Sequence, residues 1–283
     1  MSTSLENSDA IEIIEATGNV RLRGYSISSI ATYVAIDGVD GVFDMGHCHA
    51  GFIGRSNVFL THTHMDHVGG LPHFIARRAL RGMGRTTVYV PEASERSLMN
   101  FLVGAAGCDG STLEDMNCGV VGVKPGDRID ISGRKTIEVI PAHHVLPSVG
   151  YLVIENRRKK ELTPDPAGFD RYYTDMHPLV AFIGDSTIDA ISSVTAQADV
   201  LVIECTFVDE SEKVLAAKHG HTHIDDLVDL MVRKPELVEK NKKIVLKHQS
   251  LRHKRNDYRT KILAKIPEEF SPRILFLTSA NTT

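Results

Sequence analysis

At 283 residues, with 42% hydrophobic and 24% charged side chains, the chain has ordinary globular composition and can bury a sizeable core. Its net charge of −4 is mild; it neither demands nor forbids nucleic acid, although dedicated nucleic-acid binders are more often basic. Four scattered cysteines without a C-x-x-C pair argue against a disulfide framework and for a reduced, cytoplasmic protein, the N-terminal stretch MSTSLENSDA is too polar for a secretory signal, and no apolar run is long enough for a membrane span.

The first 60 or so residues read as strands. YSISSIATYVAI (25–36) is rich in β-branched residues and runs into the turn DGVDG and then VFDMG. NVFLT (57–61) is a short apolar run that delivers its C-terminus to THTHMDHVGGLP. HFIARRALRGM has helical spacing, TTVYVP reads as a strand, and EASERSLMNFLVGAAG as a helix. Strand-like VGVKPGDRIDI, KTIEVIPA and VGYLVIE follow. The stretch 156–178 is charged, proline-bearing and aperiodic, which predicts a short exposed excursion. LVAFIGD and DVLVIEC read as buried strands ending on polar residues. THIDDLVDLMV reads as a helix capped by Thr222, with Asp225 at its third position, and KKIVLKH as a last strand ending on His248. No repeat or linker divides the chain, so residues 1–283 are expected to form one α/β domain, a layered sandwich with its site along one edge.

Histidine is the anomaly. Of 14, many fall in tight groups: His47/His49, His62/His64/His67, His143/His144 and His219/His221/His223. A lone H-x-H is usually a surface loop, but His62-x-His64-x-Asp66-His67 directly follows an apolar strand. Alternate residues of extended chain point the same way, so His62 and His64 can grip one ion, and Asp66 and His67 can face a second beyond the turn. Neutral imidazole and carboxylate suit zinc, and manganese also accepts this mixed set.

At this point the sequence resembles the metallo-β-lactamase superfamily, and within it the ribonuclease Z (tRNA 3′-processing endonuclease) branch in its short, plant-type form. The resemblance runs from about Gly24 to Thr278 and implies an αββα sandwich. FDMGHC is similar to the family's first motif, with Asp44 supporting the ligands from behind. HVLPSVGY resembles the family's next element, a histidine six positions before Gly-Tyr, and that resemblance selects His144 over His143. AFIGDST resembles the motif of a metal-bridging aspartate, Asp185, and KHQSLRH the final element, nominating His248. The resemblance thus implies one ion on His62, His64, His144 and Asp185, and another on Asp66, His67, Asp185 and His248. Asp66 would orient the nucleophile or take its proton. VIECTF and KHGHTHIDD resemble the elements that supply the proton donor, mapping to Glu204 and His221. His223 is expected to line the pocket, and His219 to lie at the surface. Cys48 and Cys205 match no ligand position and read as small core residues.

The implied activity is a zinc-dependent phosphodiesterase that removes the 3′ trailer from pre-tRNA, acting as a homodimer in which one subunit grips RNA for the other's site. Family members commonly use a long arm between the Gly-Tyr and bridging-aspartate motifs. Here that segment is only 156–178, opening on Arg157-Arg158-Lys159-Lys160 and carrying Phe169, Tyr172 and Tyr173. The short arm leaves open a second reading, a cyclic-nucleotide phosphodiesterase like the phage anti-Pycsar enzymes, with Tyr172 or Tyr173 stacking on the base. A thioester hydrolase like glyoxalase II shares T-H-x-H-x-D-H, but a thiolate leaving group does not need the Glu204/His221 pair.

Overall fold

The computed structural model describes residues 11–131, 134–161 and 171–278, and its strands form two sheets of 7. In the first sheet, β1 (Glu12–Thr17), β2 (Val20–Ile27), β3 (Ala31–Ile36) and β4 (Val42–Phe43) pair antiparallel in succession. Then β5 (Asn57–Phe59), β6 (Thr86–Pro91) and β7 (Cys118–Val123) continue it in parallel. The second sheet repeats this plan. Antiparallel β8 (Arg128–Ile131), β9 (Lys135–Pro141), β10 (Val149–Lys160) and β11 (Tyr172–Phe182) lead into parallel β12 (Val200–Glu204), β13 (Lys243–Lys247) and β14 (Ile274–Leu277).

Parallel neighbours need long crossovers, and helices supply most of them. These are α1 (Met65–Val68) and α2 (Leu71–Leu80) after β5, and α3 (Glu95–Cys108) after β6. In the second half, α4 (Lys213–His219) and α5 (Ile224–Arg233) follow β12, and α6 (Arg255–Lys265) follows β13. Apolar side chains fill three layers. Phe43, Phe59, Tyr151 and Phe182 meet between the sheets. Leu71, Phe74, Leu98 and Leu102 pack α2 and α3 on the first sheet, and Leu227, Met231, Tyr258 and Ile262 pack α5 and α6 on the second. This is the expected αββα sandwich. With both faces covered, β3 and β12 are buried along their whole length, which is why they read as apolar runs without alternation.

The segment 25–36 is a hairpin, reversing at Ser29 in the left-handed region at φ 64°. Two local expectations change. The stretch 156–178 is not aperiodic where it is described: β10 and β11 stay paired out to Lys160 opposite Tyr172, and backbone Glu161 still bonds Arg171. Exposure of both ribbon faces removed the hydrophobic alternation that marks a strand; Phe169 lies outside the described residues. The cap of α5 is His223, not Thr222. The His223 ring accepts from the Asp225 amide at 3.1 Å, while the Thr222 hydroxyl donates to the Ser186 carbonyl at 2.8 Å.

Buried Tyr151 on β10 donates its hydroxyl across the interlayer to the carbonyl of Leu60, two residues before His62, at 2.6 Å. Tyr151→Phe is expected to lower unfolding free energy by about 1–2 kcal/mol, since it leaves a buried carbonyl without that donor. A denaturant midpoint unchanged at constant m-value would refute this.

Candidate metal centre and its acid–base pair

The candidate site residues lie mostly at the carboxyl ends of the parallel strands, where open α/β sheets generally place their sites. Asp44 follows β4, His62 to His67 follow β5, Asp185 follows β11, Glu204 ends β12 and His248 follows β13; His144 comes from the β9–β10 connection. Two glycines permit the loops to meet. A Cβ on Gly184 would stand 2.4 Å from the Thr61 side chain, and one on Gly46 would stand 1.9 Å from the Asp66 carbonyl. Asp44 and His248 both adopt left-handed backbone, at φ 58° and 63°, an uncommon conformation outside glycine that concentrates at functional sites.

Behind the cluster, the far nitrogen of each of four imidazoles is occupied. His67 Nδ1 is 2.9 Å from Asp44 Oδ2, His62 Nδ1 is 3.1 Å from Thr61 Oγ1, His144 Nδ1 is 2.9 Å from the Gly220 carbonyl, and His248 Nδ1 is 2.9 Å from Thr206 Oγ1. Nδ1–H donation to these oxygens leaves each Nε2 a lone pair facing inward. Gly220 ends α4 at φ 68°, the turn that brings its carbonyl to His144. Asp44 also accepts from the amide and hydroxyl of Thr61, and so ties the two ends of the H-x-H-x-D-H loop together.

In front, the free nitrogens converge. His64 Nδ1 lies 3.0 Å from His62 Nε2 and 3.3 Å from His144 Nε2. Asp185 Oδ2 lies 3.8 Å from His62 Nε2, 3.3 Å from His67 Nε2 and 3.1 Å from His248 Nε2. Asp66 Oδ2 sits 3.4 Å from His248 Nε2 and accepts from the Ser29 amide at 2.8 Å. Two ligand groups result, His62/His64/His144/Asp185 and Asp66/His67/His248, adjoining at Asp185. Acceptors facing one another this closely repel unless a cation lies among them. His67 Nε2, fully buried, has no hydrogen-bond partner of its own. The residues therefore fit a divalent cation held by nitrogen and oxygen ligands.

Electrostatics agrees. Burial pushes His62, His64 and His144 below the usual imidazole range, toward the neutral form that ligates. Burial opposes protonation of His67 too, but Asp185 and Asp44 outweigh it and hold that ring up to about 10. A proton there stands where a metal ion would. Burial works to raise Asp66 and Asp185, yet neighbouring imidazoles keep both carboxylates below their usual range.

Beside the cluster, His221 Nδ1 is 2.7 Å from Oε1 of fully buried Glu204. Glu204 also accepts from the Ser186 amide at 2.9 Å and from the Thr206 hydroxyl. Thr206 therefore links the far nitrogen of His248 to the same carboxylate. The His221 ring lies 5.1 Å from His144 and 5.4 Å from His248, over the junction of the two ligand groups. Burial disfavours its charged form, but Glu204 overcomes this and raises it to about 9.

The structure thus brings together His62, His64, Asp66, His67, His144, Asp185, Glu204, His221 and His248, with Asp44 behind them. His143 stays out and His219 is exposed, as expected. His223 does not line a pocket: it is 1% exposed and its second nitrogen meets the Asp209 carbonyl. Tyr172 and Tyr173 lie at the far end of the β10–β11 ribbon, away from this chain's own cluster and not in a pocket beside it. Cys48 and Cys205 are buried as expected. Sequence reasoning gave no role to Ser29, Ser186, Thr206, Gly220 and Lys247, although Ser186, Thr206 and Gly220 lie within AFIGDST, VIECTF and KHGHTHIDD, and Lys247 is a charge ending the apolar run IVL. An open cleft of about 600 Å³ beside His144 is lined by Val145, Leu146, Pro147, Thr187 and Gly220 among others.

Fold and cluster together define a member of the β-lactamase superfamily, and the model of the β-lactamase superfamily domain matches residues 54–245. Among solved structures, the metallo-β-lactamase fold protein YhfI of Bacillus subtilis superposes with a TM-score of 0.64 at 12% identity, covering 91% of this chain and 95% of that one. The tRNase Z TRZ1 of Arabidopsis thaliana is 30% identical over 91% of this chain and 94% of its own length. The chloroplastic tRNase Z TRZ2 of the same plant is 27% identical over 91% of this chain and 75% of its own. The chain belongs to the tRNase Z family.

In metal-free protein the His221 ring should titrate near pH 9, and Glu204→Gln should bring it down toward 6.5. Because the folded value is raised, the pair's stabilisation is fully present below about pH 6.5 and fades as pH rises through about 9. Imidazole NMR shifts against pH measure the first effect and denaturant midpoints the second; a ring titrating near 6.5 in the unsubstituted protein would refute the coupling.

Proposed function

We propose that this chain is a dimetal phosphodiesterase that cleaves the 3′ trailer from pre-tRNA, with zinc as its metal and manganese as a working substitute. The observation that carries this reading is a buried Glu204–His221 pair poised over a junction of two imidazole–carboxylate groups. One ion would be held by His62, His64, His144 and Asp185, the other by Asp66, His67, Asp185 and His248. When bound, such ions act as Lewis acids that make water nucleophilic at neutral pH and offset charge on a phosphodiester.

The chain's own residues do the rest. Asp66 is fixed through Oδ2 by the Ser29 amide, which leaves Oδ1 to orient the attacking water or accept its proton. His221, kept protonated by Glu204, donates a proton from Nε2 to the departing alkoxide. An alkoxide needs such a donor and a thiolate does not, which favours P–O over thioester cleavage. Glu204 stays ionised and holds the ring's tautomer and aim.

The grip on RNA falls to the β10–β11 ribbon. β10 starts at the site, where the Val149 amide bonds the Thr61 carbonyl, and its 12 residues span roughly 40 Å at about 3.3 Å each. Tyr172 and Tyr173 are 47% and 48% exposed, and Arg158 stacks on Tyr172 at 4.0 Å. A basic, aromatic ribbon pointing away from its own site suits the body of an RNA whose 3′ end lies in another subunit's site, and this supports a homodimer. Unpaired Cys48, Cys108, Cys118 and Cys205 suit a reducing compartment such as the cytoplasm.

The deciding assay offers zinc- or manganese-loaded protein a pre-tRNA with a 3′ trailer and, separately, cyclic mononucleotides. Trailer cleavage just after the discriminator base is expected; fast cyclic-nucleotide turnover with intact pre-tRNA would overturn the reading. His64→Ala and Asp185→Ala should abolish metal-dependent cleavage. His221→Ala should cut turnover by about 10²–10⁴ with metal content intact, and metal loss there would mean its role is misassigned.

A companion test replaces Arg157, Arg158 and Lys159 by Gln, keeping the ribbon's length and register. Pre-tRNA affinity should fall and its logarithmic salt slope shrink by about 1 for each lost phosphate contact. Unchanged binding across salt concentrations would remove the ribbon from RNA recognition.

A further inference from the structure

Lys247, the last residue of β13, is fully buried. Alternation along the strand sends Ile244 and Leu246 toward the helices, and Val245 and Lys247 toward the opposite sheet. Lysine is almost never fully buried unless paired, and an inter-sheet position offers it no water. Its Nζ makes no hydrogen bond and lies 5.5 Å from the centre of the Phe182 ring. At 3.6 Å it faces Oδ1 of Asp185, a buried atom that likewise has no hydrogen-bond partner. The two oxygens of Asp185 therefore have separate surroundings. Oδ2 meets the imidazoles of His62, His67 and His248, and Oδ1 meets an ammonium.

We propose that Lys247 is an internal counter-cation of the metal centre, a positioning residue that holds Oδ1 of Asp185 back and loosens the centre's hold on its ions. This rests on the dimetal reading above. The ammonium keeps Oδ2 alone turned to the imidazoles. It also shares the carboxylate's charge, making Asp185 a weaker donor to a divalent ion, and it repels such an ion directly across a low-dielectric interior. In the metal-free protein the same ammonium compensates a carboxylate that burial would otherwise leave exposed to a large desolvation penalty. All three effects favour the empty centre over the filled one, so the lysine sets metal affinity below what these ligands alone would give.

The test uses metal-free wild type, Lys247→Met and Lys247→Gln. Methionine keeps the length without charge, and glutamine keeps a donor for Oδ1 without charge. Zinc affinity is read by competition with a chromophoric chelator, and zinc-induced stabilisation by melting with and without the ion. Both variants are expected to bind zinc at least tenfold more tightly than wild type and to show a larger zinc-induced rise in Tm. Affinity unchanged or weakened in Lys247→Met overturns the proposal, as does Lys247→Gln behaving like wild type. Wild-type protein that takes up no zinc would sink the dimetal reading and the lysine's role with it. Uptake by wild type with unaltered variants would sink the lysine's role alone.

Discussion

Everything in this molecule is arranged around a contact that is repulsive by itself. Imidazole lone pairs and carboxylate oxygens approach one another to within 3.0–3.8 Å in a buried pocket. Only a proton or a metal ion makes such a meeting tolerable, and the surrounding chain must hold it together until one arrives. The parallel strands do this by ending at the same edge of the sandwich, so strands buried at their site ends deliver the candidate ligands. Tight packing between the sheets, with the Phe43 and Phe182 rings 4.9 Å apart, keeps the two halves from separating under that repulsion.

The ligands are also aimed. Asp44, Thr61, Thr206 and the Gly220 carbonyl each occupy the far nitrogen of one histidine and so choose which nitrogen faces inward. These supports come from both sheets and from the end of α4, so aiming the histidines and closing the sandwich are one structural task. Thr206 goes further: it touches His248 on one side and Glu204 on the other, joining the candidate ligands to the Glu204–His221 pair through a single hydroxyl. The left-handed backbone at Asp44 and His248 is strain that this network pins in place.

One pair of strands runs from the candidate site to an exposed, basic end. β10 and β11 are buried at their site end and exposed at the other, so the same ladder that fixes His144 and Asp185 also carries the basic ribbon outward. A rigid ladder cannot fold back on its own site. The ribbon's reach is therefore available to a substrate that extends well beyond the reacting phosphate, which a small cyclic nucleotide does not.

By itself the sequence singled out the residues that the fold brings together, and the broad architecture. THTHMDHVGGLP, AFIGDST, VIECTF and KHQSLRH lie at the ends of apolar runs, and buried parallel strands are legible as such runs because both of their faces are covered; HVLPSVGY instead follows antiparallel β9. Tertiary structure alone decided what lies between those motifs. The hairpin at Ser29 hid inside a continuous β-branched stretch, and the described strands of the 156–178 stretch, 156–160 and 172–178, hid because exposure of both faces erased alternation. His223 looked like a pocket residue by its company and proved to be a helix cap, since a cap depends on where the helix begins in space and not on neighbouring histidines. Lys247 gave one charge in an apolar strand, but its partner Asp185 lies 62 positions away in the chain, and only the packing of β13 beside β12 and β11 brings the two within 3.6 Å. Local pattern fixes which face a residue takes; which other residue waits on that face is set by long-range pairing, and no window of sequence contains it.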